Sequence, residues 1–469
     1  MKNGNGTPMT RRALIAALPA AGVAAFATLA SGRRLLAAPA STQPAVSAES
    51  CCMLSAGLLS KPEGQQGNPA PLKPEWAAPM AYVAALTQRC IHPAEPPFAH
   101  EWLENGPGYC YGPAFGHYDI VHQVLDIAPL LPEVARKQML NLLSLQRQDG
   151  SIPFVWMGEN PTRSWLPPKT PMATRLKDAQ RFPPVWPVGV EACLRVEANA
   201  ELLVRAYEAV CRTLARFDAV RRSADGGYFY ADIHGKGDWE SGTDQGIRFQ
   251  NPPPEPAACV DATSHIYWCL RFAADWARRL GKSAEVHDQA LDRVGKLIQA
   301  TFFCEETAWF HDAWSVQERK RRHYAIEGMW PMVVGAASAP QARQALAQTL
   351  LNPERFNTTH PVATIARCDP AFKLRMFHGP AWNSFTLWAV EGCLKYGQRA
   401  GARQLLEKAL DGTAAQFRRT GTVWEFYHPL GGEPETLERK PGRAQIGPCR
   451  DYLGHNPLRA MARLWAGLG

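Results

Sequence analysis

The chain has 469 residues, 46% of them hydrophobic and 20% charged, which is ordinary globular usage and far more than one small core requires. The formal charge of +8 is diluted by basic residues near the start (Lys2, Arg11, Arg12, Arg33, Arg34), and no basic run is interleaved with aromatics, so nucleic-acid binding is excluded. Twelve scattered cysteines contain no C-x-x-C, and thirteen histidines show no ligand spacing, so neither a disulfide framework, a metal site nor a cofactor is expected.

Taken in chain order, the first segment is a targeting sequence. Thr10-Arg11-Arg12-Ala13-Leu14-Ile15 resembles a twin-arginine signal, an apolar run follows from Ala13 to Ala30, and Ala38-Pro39-Ala40 offers a cleavage site. The run is Ala-rich, broken by Pro19 and short for a bilayer span. Residues 1–40 are therefore expected to be a signal peptide, with the mature protein periplasmic or secreted and not membrane-bound. Residues 41–73, rich in Pro, Gly, Ser, Ala and Gln, read as a linker, and 74–469 as one large domain.

Apolar residues at helical spacing predict helices near 75–90, 117–129, 132–147, 183–196, 199–218, 259–281, 283–303, 326–337, 339–351, 380–397, 401–420 and 451–467. Stop signals such as Gly281 and Gly397 support these limits. Taken in pairs, twelve helices make six hairpins, an all-α (α/α)6 barrel. Between them lie long loops at 104–116, 148–182, 221–258, 304–325, 352–379 and 421–450, rich in Gly, Pro, Trp and Asp. Loops beyond about 12–15 residues in a compact domain are usually functional, and these are expected to gather at one end of a closed toroid. Gly227-Tyr228-Phe229-Tyr230-Ala231-Asp232 is the one stretch that reads as a short strand.

Acids set among Trp, Tyr and Gly in loops are the pattern sugar chemistry needs: aromatic faces stack on sugar rings, and carboxyl groups move protons at a glycosidic bond. Two segments have that company, Trp239-Glu240-Ser241-Gly242-Thr243-Asp244-Gln245-Gly246-Ile247-Arg248-Phe249 and Gly421-Thr422-Val423-Trp424-Glu425-Phe426-Tyr427-His428-Pro429. The first resembles the Glu-Ser-Gly-x-Asp-(x)3-Arg signature of the glycoside hydrolase clan that contains family 63 glucosidases, family 37 trehalases and mannosylglycerate and glucosylglycerate hydrolases. The second resembles that clan's Trp/Tyr-Glu-x-Tyr-x-Pro segment. Gly116-His117-Tyr118-Asp119, Gln146-Arg147-Gln148-Asp149-Gly150-Ser151-Ile152-Pro153, Pro183-Pro184-Val185-Trp186, Val260-Asp261 and His378-Gly379-Pro380-Ala381-Trp382 match further clan motifs in the same order. Thr243 and His378 depart from the common Trp or Met and Arg, which bears on the sugar more than on the reaction.

The resemblance implies an inverting hydrolase of a short α-glucoside or α-mannoside, with Asp244 the general acid and Glu425 the general base. As an acid, Asp244 has to be protonated near neutral pH, which calls for burial among aromatics or a second carboxylate beside it. Glu425 has to stay ionised. Inversion places the two carboxyl groups about 6.5–9.5 Å apart. The substrate-binding residues expected are Asp119, Gln146, Trp186, Glu240, Gly242, Arg248, Trp382 and Tyr427. Several have a plainer reading: Asp119 as a helix-terminal acid, Arg248 as an ion-pair partner (of Glu240 or another acid), Trp186 and Trp382 as core. A polysaccharide lyase using Tyr427 and His428, or a non-catalytic carbohydrate-binding protein, is the alternative function. The expected partner is an oligosaccharide or glycoside; oligomeric state is not legible.

Overall fold

A computed structural model describes residues 70–153, 155–157, 182–234, 239–250, 252–440 and 447–468. The expected signal peptide, most of the linker and parts of three loops (158–181, 235–238, 441–446) lie outside the described residues. The linker's last residues are attached to the domain: Ala70 donates its N–H to Ala466 O at 3.0 Å, and Lys73 pairs with Glu407 and Asp411.

The helices are α1 (Ala77–Arg89), α2 (His117–Ile127), α3 (Pro132–Ser144), α4 (Trp186–Val196), α5 (Ala200–Val220), α6 (Val260–Arg279), α7 (Glu285–Thr301), α8 (Ala313–Gln317), α9 (Trp330–Val333), α10 (Ala339–Gln344), α11 (Asn383–Lys395), α12 (Arg399–Thr420) and α13 (Leu458–Ala466). Every expected helix is present. Two are interrupted: α9 is preceded by a 3-10 turn over Ile326–Met329, and α10 continues as a π-turn over Ala345–Leu350. α8 sits inside an expected loop. The proposed strand 227–232 is not one; Arg222 and Tyr228 form a single bridge, and Ala231–His234 is a 3-10 turn.

Burial sorts the helices into two rings. In α2, α4 and α11 nearly every residue is buried, whereas α7 buries only Val294, Gly295 and Ile298. A helix apolar on all sides belongs inside, and one with a single apolar stripe belongs outside. α2, α4, α6, α9, α11 and α13 thus form an inner ring, closed where α13 packs on α2, while α3, α5, α7, α10, α12 and α1 lie outside it. Aromatics fill the middle: the Trp388 ring lies 5.7 Å from both Trp268 and Trp330, and its indole N–H donates to His122 Nε2. Truncating such a side chain typically costs about 3–5 kcal/mol.

Local chemistry sets the helix ends. Asn199 accepts from Leu202 N to cap α5, Ser338 and Gln341 form a capping box on α10, and Gly421, at φ +68°, ends α12. Each long loop leads into the N-terminus of an inner helix. Six inner N-termini therefore share one rim, and the loops meet there.

Candidate active site

Five of those loops, with the first turn of α2, enclose a cavity of about 190 Å³. Its walls include Tyr109 and Tyr111 from the first loop and Trp239, Gly242 and Asp244 from the third. Phe377 and Trp382 come from the fifth, and Glu425, Arg439, Lys440, Tyr452 and His455 from the last. Asp119 is also on the wall.

Asp119 lies in the first turn of α2, between two glycines. A Cβ on Gly116 would sit 2.4 Å from its Oδ2, and one on Gly454 would sit 2.2 Å from its Oδ1, so both positions require the missing side chain. Tyr452 donates its hydroxyl to Oδ1 at 2.6 Å. Burial pushes the Asp119 carboxyl up to about 6, against that hydrogen bond and with help from the charge of Glu425. His455 stands 3.6 Å from Oδ1 and is neutral, because burial and nearby Arg439 hold its imidazolium form down to about 3.

Glu425 sits on an extended segment clasped on both sides: Glu425 N–H donates to Cys449 O at 2.8 Å, and Tyr427 exchanges hydrogen bonds with Ala381 at 2.8 and 3.0 Å. Arg439 grips its carboxylate with a two-pronged contact, Nε to Oε2 at 2.8 Å and Nη2 to Oε1 at 2.7 Å, and the Cys449 N–H adds a third bond at 3.0 Å. Burial would raise this carboxyl; the guanidinium and the N–H donors outweigh it and hold the group below its usual range. Glu425 is buried and held in its ionised form.

Asp244 is held differently. Its Oδ2 contacts the ammonium of Lys440, and its buried Oδ1 has no hydrogen-bond partner among the described residues. The lysine Nζ also lies 4.7 Å from the centre of the Trp239 ring. An ammonium thus stands where a second carboxylate or a purely aromatic wall was expected. Backbone strain flanks the acid: Trp239 at φ +65° and Gln245 at φ +56° adopt the left-handed conformation that side chains disfavour. What fixes Gln245 is His378, whose Nε2–H donates to the Gln245 carbonyl at 2.7 Å.

Asp119, Gly242, Asp244, Trp382 and Glu425 are therefore brought together, and the Trp382 ring forms a flat wall by stacking on Phe377 at 4.4 Å. The other expected binding residues do not line the cavity. Gln146 Nε2 donates to Gly150 O, Ala209 O and Thr213 Oγ1, tying a turn to α5. Trp186 is fully buried beside Trp276, so it belongs to the core. Glu240 accepts from Arg221 Nε and Ala231 N–H and closes the base of the acid loop. Tyr427 stacks on His360 at 4.5 Å, with its hydroxyl donating to Asn456. This removes the pair on which the lyase alternative rested, since His428 is not on the cavity wall either.

Arg248 does not orient Glu240. It lies in a second, polar crevice, where it meets Asp261 at 2.6 and 2.9 Å, Asp312 at 3.0 Å and Glu327 at 3.3 Å. One arginine joins the acid loop to the start of α6, to α8's N-cap and to the turn before α9, with little solvent contact. Its plainer reading as an ion-pair partner is the correct one.

Arg439 and Lys440 escaped the sequence reading. They lie in a stretch without helical spacing, yet two adjacent cations 14 and 15 residues after Glu425 are a usable signal, because carboxylates shielded from solvent need counter-ions. Tyr109 and Tyr111 carried a fainter one, in Gly-Pro-Gly-Tyr-Cys-Tyr-Gly.

Known proteins share this fold. The family described as mannosylglycerate hydrolase MGH1-like glycoside hydrolase domain matches residues 116–446. A crystal structure of the GH63 mannosylglycerate hydrolase from Thermus thermophilus in complex with Tris and D-glycerate superimposes with a TM-score of 0.61 at 18% identity, covering 82% of this chain and 99% of that one. The same enzyme in complex with glucose gives 0.61 at 18%, covering 84% and 100%. Neutral trehalase Nth1 from Saccharomyces cerevisiae gives 0.58 at 14%, covering 83% and 79%.

Proposed function

Because the chain belongs to the mannosylglycerate hydrolase MGH1-like glycoside hydrolase family, we propose that it is an inverting α-glycosidase in which Asp244 is the general acid and Glu425 the general base. The observation that carries this reading is a single small cavity holding both carboxyl groups, one of them gripped in its ionised form by Arg439. In the reaction, Asp244 gives its proton to the glycosidic oxygen as the bond to the anomeric carbon breaks. Water attacks that carbon from the opposite face and passes a proton to Glu425. Asp119 accepts a sugar hydroxyl at the cavity floor, and Trp382 offers a ring face.

The described walls enclose less than the roughly 300 Å³ at the lower end of small-molecule sites, which favours a short substrate. Mannosylglycerate, from which one structural neighbour takes its name, belongs in the test panel beside aryl α-glucosides and α-mannosides. Asp244→Asn and Glu425→Gln are each expected to lower kcat by about 10²–10⁴, and NMR of fresh product should show the β-anomer first. Undiminished hydrolysis by both variants, or an α-anomer formed first, would overturn the assignment. Export by the twin-arginine route is proposed from the motif at Arg11 and Arg12. Mature protein recovered from periplasm should lack residues 1–40, and an intact N-terminus would refute it.

A further inference from the structure

The first loop carries more than the two tyrosines that line the cavity, because its backbone runs directly against the last loop. Leu453 and Gly454 donate their N–H groups to Asn105 O, at 2.7 and 3.2 Å. A Cβ on Gly106 would stand 2.1 Å from Asp451 O, and one on Gly108 only 1.8 Å from Arg450 O, so this approach depends on glycine. Two turns follow: Tyr109 N–H donates to Gly106 O at 3.1 Å, and Gly112 N–H donates to Tyr109 O at 3.0 Å. Cys110 stands inside the second of them.

Cys449 faces it from the last loop, and its backbone is pinned as well. Glu425 N–H donates to Cys449 O at 2.8 Å, and Cys449 N–H donates to Glu425 Oε2 at 3.0 Å. Trp424 and Arg450 form a bridge beside that pair. The two side chains meet between the loops, where the Cys449 thiol donates to the Cys110 sulfur. That bond, helped by the charge of Arg439, holds the Cys110 thiol below its usual value against burial. Burial pushes the Cys449 thiol up. Cys110 is half-buried and Cys449 fully buried, so a reagent reaches the first sulfur before the second.

We propose that Cys110 and Cys449 form a modification site that accepts a small disulfide oxidant and closes to a cross-link between the first and last loops. The Cys110 thiolate attacks one sulfur of the oxidant, whose other half leaves as a thiolate. The Cys449 sulfur then attacks Cys110 in the mixed disulfide, its proton passing to the second thiolate as that departs. Two protein thiols are oxidised, and one oxidant disulfide is reduced to two thiols. Folding has to come first, since only the packing of the two loops brings these cysteines together. The bond joins both supports of Glu425: Cys449 supplies an N–H to it, and Tyr111, next to Cys110, accepts from Arg439 Nη1 at 3.2 Å. It also closes most of the domain into one covalent loop, which chiefly restricts the unfolded chain. None of this depends on which carboxyl group is the acid and which the base.

The test takes the full chain, reduced or equilibrated with oxidised glutathione, then alkylated and digested without reductant. Trypsin and chymotrypsin together separate Cys90 from Cys110 before mass spectrometry. The oxidised sample should contain the Cys110 peptide joined to the Cys449 peptide, two hydrogens lighter than the sum of the two, and reductant should abolish it. The apparent Tm of the oxidised chain should exceed that of the reduced chain by about 3–6 °C. Cys110→Ala should lose that redox-dependent shift. Alkylation of both cysteines after oxidation, a glutathione adduct that stays on Cys110, or Cys110 joined to any other cysteine would overturn the proposal. So would a cross-link that leaves Tm unmoved. Mapping of the wild-type chain decides the pairing even where Cys110→Ala does not fold.

Discussion

Glu425 and Asp244 face one cavity, and their counter-ions are consecutive residues, but the two ion pairs are built differently. Arg439 meets Glu425 through two parallel bonds, both side chains about 3% exposed, and a backbone N–H completes the set. Lys440 meets one oxygen of Asp244 and leaves the other without a protein partner among the described residues. A guanidinium fork is rigid and stays charged, whereas an ammonium on a flexible stem can exchange acceptors. On the proposed roles, the base has the rigid, two-bond partner and the acid the flexible, single-bond one.

Arg439→Met is the variant expected to do most damage. It strands a buried carboxylate, which typically costs about 3–5 kcal/mol in unfolding free energy, and the proposed base loses both its charge control and its aim, so kcat should fall by about 10²–10³. Denaturant unfolding with parallel kinetics checks both. If Lys440→Met proves as destabilising as Arg439→Met, the contrast between the two pairs is wrong.

Arg248→Met should approach the same loss of stability, about 3–5 kcal/mol, because Asp261, Asp312 and Glu327 then share a buried site with no cation. KM of the folded fraction should stay near that of the parent, since Arg248 is not on the cavity wall. A large rise in KM with unchanged stability would return Arg248 to the substrate. Together the two arginine variants separate a cation that serves the chemistry from one that staples loops.

How far the molecule was legible from its sequence follows the same division. Helices announce themselves by period, so all six pairs were found; α9 and α10 came out shortened because 3-10 and π-turns bury apolar residues at nearly the same spacing. Asp244, Glu425 and Asp119 were found because their local company is distinctive. The errors lie where a motif marks scaffold as strongly as site. Glu240, Arg248 and Tyr427 stand next to cavity residues in sequence, but their side chains point into loop-holding contacts. Arg439 and Lys440 were missed for the converse reason: a counter-ion is chosen by distance in space, and nothing local records that Lys440 lies against an acid 196 residues earlier.

Asp119 tests the floor between the two pairs, through pH. Its carboxyl titrates at about 6 in the folded chain against 3.8 for the ordinary group. The raised value means that the folded state holds the proton more tightly, so the stabilisation is complete below about 3.8 and is lost as pH rises through about 6. That difference corresponds to about 3 kcal/mol. Asp119→Asn cannot ionise and should gain on wild type by up to that amount between pH 4 and pH 7, while its affinity for sugar falls. Parallel stability–pH curves for the two proteins would show that Asp119 is not buried as described.

The smallest expected effect belongs to Gln146. Its amide bonds to Gly150 O at 3.1 Å, Ala209 O at 2.9 Å and Thr213 Oγ1 at 3.1 Å, and its carbonyl accepts from Arg212. Gly150, at φ +82°, brings the same turn against the middle of α5, where a Cβ would sit 2.2 Å from Arg212 O. These contacts hold the turn after α3 against an outer helix. Gln146→Ala should therefore cost roughly 1 kcal/mol, the net worth of a hydrogen bond or two in a partly buried setting, with KM unaltered for every glycoside. A selective rise in KM for one sugar would show that the turn reaches the substrate after all. It would also move the boundary between scaffold and site outward, from the five loops that enclose the cavity to the outer helices that carry them.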